Sequence, residues 1–188
     1  MTADLQTDVC ILGGGPGGAS AALKLAQHGV KTVLMEKANF PRDKVCGDAL
    51  SGKVMRTLER LDPSLAAAVK AESAAMPSWG VTFVAPSGRV LRVPFSRTTG
   101  LGEAPGVILP RLRFDDILFQ QVMRDERIIS WEGVAAKEFQ RTDKGWRIAT
   151  SDGRLIEARI VIDASGANSH FARHVAGLPL EPRHHAAG

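Results

Sequence analysis

The chain lacks the features that mark several common protein classes. Its 188 residues contain only two cysteines, Cys10 and Cys46, which cannot build a disulfide framework. No apolar run approaches the roughly 18 residues that a membrane-spanning helix needs. The first residues have no basic stretch before their apolar run, so we do not expect a signal peptide. These observations favour a protein of the reducing cytoplasm without a transmembrane segment.

Charge of one sign is not concentrated anywhere in the sequence. The 24 Lys and Arg residues are scattered among 20 Asp and Glu residues, and the net charge is +4. Because no basic run is interleaved with aromatic residues, we expect no nucleic-acid partner. The mildly basic balance remains compatible with a nucleotide, an acidic substrate or an anionic membrane surface. The hydrophobic content of 44% is that of an ordinary globular protein.

The motifs of several enzyme classes are missing as well. The sequence contains no Gly-x-Ser-x-Gly elbow, no Gly-Lys-Ser/Thr phosphate loop and no Cys-x-x-Cys pair. His170 and His174 stand at the i,i+4 spacing of a helix, but no acid or cysteine of suitable spacing accompanies them. We therefore predict no metal site.

Glycine, in contrast, is concentrated at one corner of the chain. The stretch from Ile11 to Lys37 is ILGGGPGGASAALKLAQHGVKTVLMEK. Its pattern predicts a buried strand, a helix and a second buried strand, with about the length of a right-handed parallel crossover. We predict these three elements over residues 9–12, 19–28 and 31–37.

The glycines between the first strand and the helix have the spacing of a dinucleotide-binding loop. In this pattern Gly13 forms the turn, Gly15 lets the backbone approach a pyrophosphate, and Gly18 lets the helix pack against the strand. The helix N terminus offers N–H groups to the phosphates, and Glu36 can accept hydrogen bonds from ribose hydroxyls. We predict that this corner binds the ADP half of a dinucleotide, either FAD or NAD(P).

The rest of the chain is predicted to combine helices with antiparallel strands. The fold class is therefore α/β, with a Rossmann-like strand–helix–strand unit and an inserted or appended antiparallel β region. Two β-type runs around Pro-Ser-Gly predict a hairpin within residues 79–95. We further predict a loop over 38–52, helices over 51–61, 65–75, 113–126 and 167–177, and strands over 105–111, 128–133, 134–142, 145–153 and 154–166.

Two further stretches carry candidate binding residues. Cys46 and Gly47 lie in the polar loop FPRDKVCGDALS, where Arg42 and Lys44 would favour the thiolate of Cys46. A glycine there permits close approach to a flat ligand, although Cys46 could equally be a small packing residue.

The stretch PRLRFDDIL places Arg111 at a predicted strand end, from which it can reach a phosphate or a ribose. Asp115 is interpreted as an acid of the first helical turn, favourable to the helix dipole. In IVIDASGANS, a buried strand leads through Asp163 to Gly166, where the backbone can approach a ligand.

Together these stretches resemble the flavin-dependent oxidoreductases of the para-hydroxybenzoate hydroxylase fold, and most closely the geranylgeranyl reductase family. The resemblance lies in the glycine corner, DKVCGDALS, RLRFDDIL and VIDASGANS, in family order. It implies bound FAD, NAD(P)H as the reductant, and reduction of isoprenoid or lipid-like double bonds. Cys46 is then the one candidate for a catalytic contribution. The residues that it implies at the FAD are Gly13, Gly15, Pro16, Gly17, Gly18, Glu36, Lys37, Cys46, Gly47, Arg111, Val134 and Gly166.

The sequence departs from this family in two respects. Asp163 and Ser165 stand where the family commonly has Gly and Asp. Family members are also longer, with a later Gly-Asp-Ala motif and a substrate domain. We therefore expect residues 1–188 to form an N-terminal FAD-binding domain, with residues 77–110 as a β excursion towards a substrate domain.

Several alternatives stay open at this point. One is an FAD-dependent aromatic hydroxylase or halogenase of the same fold. Another is a non-catalytic nucleotide-binding module that self-associates or pairs with a missing C-terminal half. A nicotinamide-only dehydrogenase fits less well, because such folds continue with regular strand–helix alternation. The substrate class and the basic charge also leave peripheral membrane association open.

Overall fold

The computed structural model describes residues 3–95 and 102–178. The chain divides into two compact units, one formed by Met1–Asp43 with Leu118–Gly188 and the other by Lys44–Ile117. In chain order the elements are β1 (Leu5–Leu12), α1 (Pro16–Gln27), β2 (Thr32–Met35), β3 (Ala49–Leu50), α2 (Gly52–Leu61), α3 (Pro63–Ala71), β4 (Met76–Ser78), β5 (Gly80–Val84), β6 (Val90–Pro94), β7 (Gly106–Ile108), α4 (Arg111–Arg124), β8 (Ile128–Trp131), β9 (Ala136–Thr142), β10 (Gly145–Thr150), β11 (Leu155–Asp163) and a π-helical turn (Phe171–Val175).

The first unit is built on a six-stranded sheet with the order β8-β2-β1-β11-β10-β9. The strands β8, β2, β1 and β11 run parallel, whereas β10 and β9 continue the sheet antiparallel. Leu12 pairs with Met35 on one side and Asp163 on the other, and Met35 pairs with Trp131. The C-terminal ends of four parallel strands therefore meet at one edge, where open α/β sheets bind their ligands.

The sheet is buried on both faces at β1, which explains its continuous apolar run. Cys10 and Leu12 belong to a core cluster with β2 and the antiparallel strands. Small residues of α1, such as Ala19 and Ala22, are fully buried and allow a close approach of the helix. Burial raises the pKa of the Cys10 thiol to about 12, so this cysteine is unreactive at neutral pH.

The second unit combines the sheet β3-β7-β4 with the helices α2 and α3 and the separate hairpin β5–β6. Gly88 lies in the hairpin turn with a φ of +78°, a conformation that favours glycine. The predicted hairpin and the predicted α/β class are thus confirmed. Its strands leave several large apolar side chains exposed, namely Val81, Phe83, Val84, Val90, Leu91 and Val93.

Several element boundaries differ from those predicted. The helix α1 begins at Pro16 and not at residue 19, because Gly15 is extended and proline suits the first helical position. The strand β1 begins at Leu5, since its polar residues pair with β11. The helix α3 ends at Ala71, four residues before the predicted end. The strands β3 and β4 are too short to leave a periodic pattern in the sequence.

The helix α4 also corrects a prediction about a site residue. It begins at Arg111, so this arginine lies in the first helical turn and not at a strand end. Two residues, 109 and 110, separate β7 from α4, and Phe114 donates its N–H to the carbonyl of Pro110 at 3.0 Å. The proline therefore starts the helix two residues before the amphipathic pattern becomes visible.

The core position of Ile148 on β10 provides a test of this packing. Ile148 is fully buried, whereas Ile129 on β8 is 42% exposed. Ile148→Ala should lower the free energy of unfolding by about 3 kcal/mol, because it leaves a cavity in the core. The matched change Ile129→Ala should cost less than about 1 kcal/mol. Urea denaturation of both variants checks this; equal losses would contradict the assigned core.

Candidate functional site

The glycine corner is a place where three backbone segments come close together. Gly13 follows β1 with a φ of +101° and donates its N–H to the carbonyl of Met35 at 2.7 Å. A Cβ atom on Gly13 would lie 2.6 Å from the carbonyl oxygen of Ala164, which follows β11. Both the left-handed backbone and this approach require glycine at the turn.

Gly18 sets the distance between α1 and the turn. A Cβ atom at this position would lie 1.8 Å from the carbonyl oxygen of Gly13, so no side chain fits. Gly17, one residue earlier, has only the Cβ of Ala164 near its own Cβ position, at 3.9 Å. The third glycine of the motif therefore has the packing role that the sequence predicts.

The N terminus of α1 is open towards this corner. Gly15 is the N-cap in an extended conformation and Pro16 follows at the first helical position. No side chain among the described residues caps this helix. The first-turn N–H groups and the positive end of the helix dipole are thus available to a phosphate group.

The carboxylate of Glu36 ties the glycine loop to the end of β2. It accepts the N–H of Gly14 at 2.9 Å and the N–H of Ala38 at 3.0 Å. Glu36 is only 5% exposed, and the guanidinium of Arg42 lies 3.5 Å from one of its oxygens. Since a carboxylate has about four acceptor positions, ribose hydroxyls can still donate to it.

A pair of aromatic rings supports the same loop, and the sequence analysis missed it. The ring of Phe119 on α4 lies 2.7 Å from the position of a Cβ atom on Gly14. Phe40 stacks on Phe119 with 4.2 Å between the ring centroids. Gly14 is a variable position of the motif, but here the buried ring requires glycine. In the sequence, the signal that indicates this contact is the unusual run of three glycines, Gly13 to Gly15.

The other predicted residues of the first unit have varied surroundings. Val134 is buried, and its N–H donates to the carbonyl of Glu36 at 3.0 Å. Lys37 is exposed. Gly166 is exposed in the loop after β11 with a φ of +88°, and the carboxylate of Asp163 holds this loop by accepting the N–H of Ser165 at 3.1 Å. Their assignment to a cofactor stays a prediction.

A second cluster forms within the second unit, where Cys46 and Arg111 meet. The guanidinium of Arg111 donates from Nε to Oδ1 of Asp115 at 2.6 Å and from Nη2 to Oδ2 at 2.7 Å. Its backbone N–H donates to Oδ1 of Asp48 at 3.1 Å. A hydrogen bond from Arg111 to the sulfur, followed by one from the Asp48 backbone, lowers the pKa of the Cys46 thiol.

This cluster corrects two interpretations made from the sequence. The cation that favours the thiolate is Arg111, although Arg42 and Lys44 are nearer in sequence. Asp115 is not an acid of the first turn, because α4 already begins at Arg111, and it is fully buried and paired with that arginine. Gly47 is exposed, with no atom within 4 Å of its Cβ position, so a ligand has room there.

The described part of the chain contains neither a metal-ligand cluster nor a membrane-spanning helix. His170 and His174 lie with their rings 4.7 Å apart, but no group of three His, Cys, Asp or Glu residues there could hold a metal ion. Within residues 3–95 and 102–178, no helix combines the length and the hydropathy needed to cross a bilayer.

The family assignment follows from a match along nearly the whole chain. Residues 6–184 match the family model described as FAD binding domain. The chain belongs to the FAD binding domain family. This match confirms the flavoprotein class that the sequence predicts, whereas dinucleotide binding by the N-terminal strand–helix–strand unit stays a prediction.

Two curated relatives of this FAD-binding chain are named as reductases. It is 27% identical over 182 residues to a menaquinone reductase of Mycolicibacterium smegmatis, covering 89% of the chain and 39% of the relative. It is 28% identical over 187 residues to a geranylgeranyl diphosphate reductase of Rhodobacter capsulatus, covering 96% and 43%. The chain thus spans less than half the length of these relatives.

Solved structures confirm the fold of the FAD-binding chain. The p-nitrophenol 4-monooxygenase PnpA of Pseudomonas putida superimposes with a TM-score of 0.76 at 18% identity, covering 89% of this chain and 43% of the other. At this identity the likeness concerns the fold alone. It confirms the expected fold of the flavin-dependent oxidoreductases related to para-hydroxybenzoate hydroxylase.

The residues at the glycine corner fit the cofactor that this family binds. The backbone at Gly13 and Gly18 is packed so closely that side chains are excluded. Beside it lie the open helix N terminus and the buried carboxylate of Glu36. Together these are an anion-binding element and a hydroxyl acceptor, which is the chemistry that a pyrophosphate and its ribose require.

Adjacent glycines provide a matched test of the corner. Gly18→Ala should lower the free energy of unfolding by about 3 kcal/mol, because its Cβ would overlap the Gly13 carbonyl. Gly17→Ala should stay within about 1 kcal/mol of the parent, since its position in α1 has room and alanine favours a helix. Thermal or urea unfolding measures both variants. Similar stabilities for the two would refute the packing described for Gly18.

Proposed function

We propose that this chain is the FAD-binding part of an oxidoreductase that reduces double bonds of an isoprenoid chain with NAD(P)H. The observation that carries the proposal is the glycine corner with its open helix N terminus and the acceptor Glu36. The curated relatives support the substrate class, since one is named for geranylgeranyl diphosphate and matches 96% of the chain.

The binding roles in this proposal belong to the first unit. The loop from Gly13 to Gly18 and the N terminus of α1 hold the pyrophosphate through backbone N–H groups. Glu36 accepts from the ribose, while its bonds to Gly14 and Ala38 keep the loop in the binding conformation. Asp163 fixes the neighbouring loop that carries Gly166.

The proposal needs no pair of acid and base side chains for the reduction itself. Bound FAD supplies the hydride chemistry, so the protein provides position, shielding from water and local electrostatics. The exposed Cys46 beside Arg111 is the chemically distinctive group of the second unit. Because Arg111 lowers the pKa of this thiol, it releases its proton more readily than an ordinary cysteine, which is the contribution that we assign to it.

A hydroxylase or halogenase of the same fold is the competing function. Structural neighbours of these classes share the fold at low sequence identity, as the monooxygenase PnpA does at 18%. The longer curated relatives with 27% and 28% identity are instead named reductases. These names support reduction as the proposed chemistry.

An anaerobic reaction distinguishes these two functions. The chain is loaded with FAD, mixed with NADPH or NADH and geranylgeranyl diphosphate, and the products are identified by mass spectrometry. We expect bleaching of the flavin absorption band and a product that has gained hydrogen at its double bonds. A matched reaction in air, with an aromatic acid as substrate, tests for hydroxylation.

The outcomes of this experiment are separable. Hydrogenated product without oxygen supports the proposed reductase. A hydroxylated aromatic product that forms only in air would overturn it in favour of a monooxygenase. Bound flavin that neither nicotinamide reduces would contradict a reductase activity of this chain and leave FAD binding as its function.

A further inference from the structure

The pairing of Arg111 with Asp115 is unusual for its burial. The Asp115 side chain is fully buried and the Arg111 side chain is 14% exposed, while both carboxylate oxygens receive guanidinium N–H groups. The residues stand one helical turn apart in α4, so the helix itself fixes their spacing. Such a bidentate pair holds the plane of the guanidinium in one orientation.

This orientation determines which side of Arg111 is available. The Nε atom and one N–H of Nη2 face Asp115, which leaves three of the five guanidinium N–H groups for other acceptors. One of these acceptors is the sulfur of Cys46. Asp48 binds the loop that carries Cys46 to the start of α4. Its side chain accepts the backbone N–H of Arg111, and its carbonyl accepts the N–H of Leu109 at 2.9 Å.

We propose that Asp115 is a positioning residue, whose buried carboxylate aims the Arg111 guanidinium at the Cys46 sulfur. The proposal deepens the proposed function, on which it rests for the contribution of Cys46. A buried carboxylate is strongly unfavourable unless it is paired, so the pairing with Arg111 accounts for a buried acid at this position.

Positioning and simple charge compensation predict opposite changes in the fraction of Cys46 that is present as thiolate. If Asp115 aims the guanidinium, Asp115→Asn releases Arg111, weakens its bond to the sulfur and makes the thiolate scarcer. If Asp115 only neutralises Arg111, the same change leaves more positive charge near the sulfur, and the thiolate becomes more abundant. The charged side chain that acts on Cys46 is that of Arg111, and the loop of Cys46 also carries the charged residues Lys44 and Asp48.

The reactivity of Cys46 towards iodoacetamide measures this difference. The chain has two cysteines, and Cys10 is fully buried, so alkylation of the folded protein reports on Cys46 alone. Rates are measured across a pH series with mass spectrometry counting the labels. We expect Asp115→Asn to slow the reaction near neutral pH by about fivefold and to move the pH profile upwards. Asp116→Asn on the same helical turn is the matched control and should leave the profile unchanged.

A second background tests whether the effect passes through Arg111. In an Arg111→Met protein, the further change Asp115→Asn should alter the rate by less than about 1.5-fold, since the partner is gone. An equal slowing in both backgrounds would show that Asp115 acts through the general structure and would overturn the proposal. A faster reaction of Asp115→Asn would equally overturn it in favour of charge compensation.

Labelling of Cys10 reveals any variant that fails to fold. If Asp115→Asn gives two labels per chain, Arg111→Lys replaces it as the test variant. Lysine keeps the positive charge but cannot form the bidentate pair, so Cys46 should again react more slowly near neutral pH. An unchanged rate in Arg111→Lys would contradict the positioning role. Because the thiol titration needs no flavin, its result is independent of whether the proposed reductase activity exists.

Discussion

The contact between the backbone at Gly18 and the carbonyl of Gly13 is the constraint on which the candidate site depends. It brings the N terminus of α1 against the turn after β1 at a distance that no side chain would allow. The same turn is held to β2 by the Gly13 N–H and approaches the loop after β11. The positive end of the helix is thereby directed at the edge where four parallel strands terminate.

Supporting contacts around this constraint come from residues far apart in sequence. Glu36 binds the N–H of Gly14, and the ring of Phe119 packs against the same glycine. The carboxylate therefore has a structural role in the free protein as well as the expected role towards ribose. A binding loop held in this way loses little conformational freedom when a ligand arrives, which favours affinity.

The strand–helix–strand unit and its glycines could be predicted because their reasons are local. A turn off a strand, a helix start and an acid at a strand end each leave a fixed pattern in the sequence. The Arg111–Asp115 pair could not be recognised in the same way, because i,i+4 charges on a helix are usually solvated and only burial shows that this pair is not. Phe119 was missed for a similar reason, since its contact with Gly14 joins α4 to a loop more than a hundred positions away.

The central claim is that the glycine corner holds the ADP half of FAD, and calorimetric titration with FAD and FMN tests it directly. FMN contains the same flavin ring but lacks the adenosine monophosphate that completes the dinucleotide. The account predicts that FAD binds, that ADP competes with it, and that FMN binds far more weakly. Equal binding of FMN and FAD, or FAD binding that ADP leaves unchanged, would contradict the assignment of the corner.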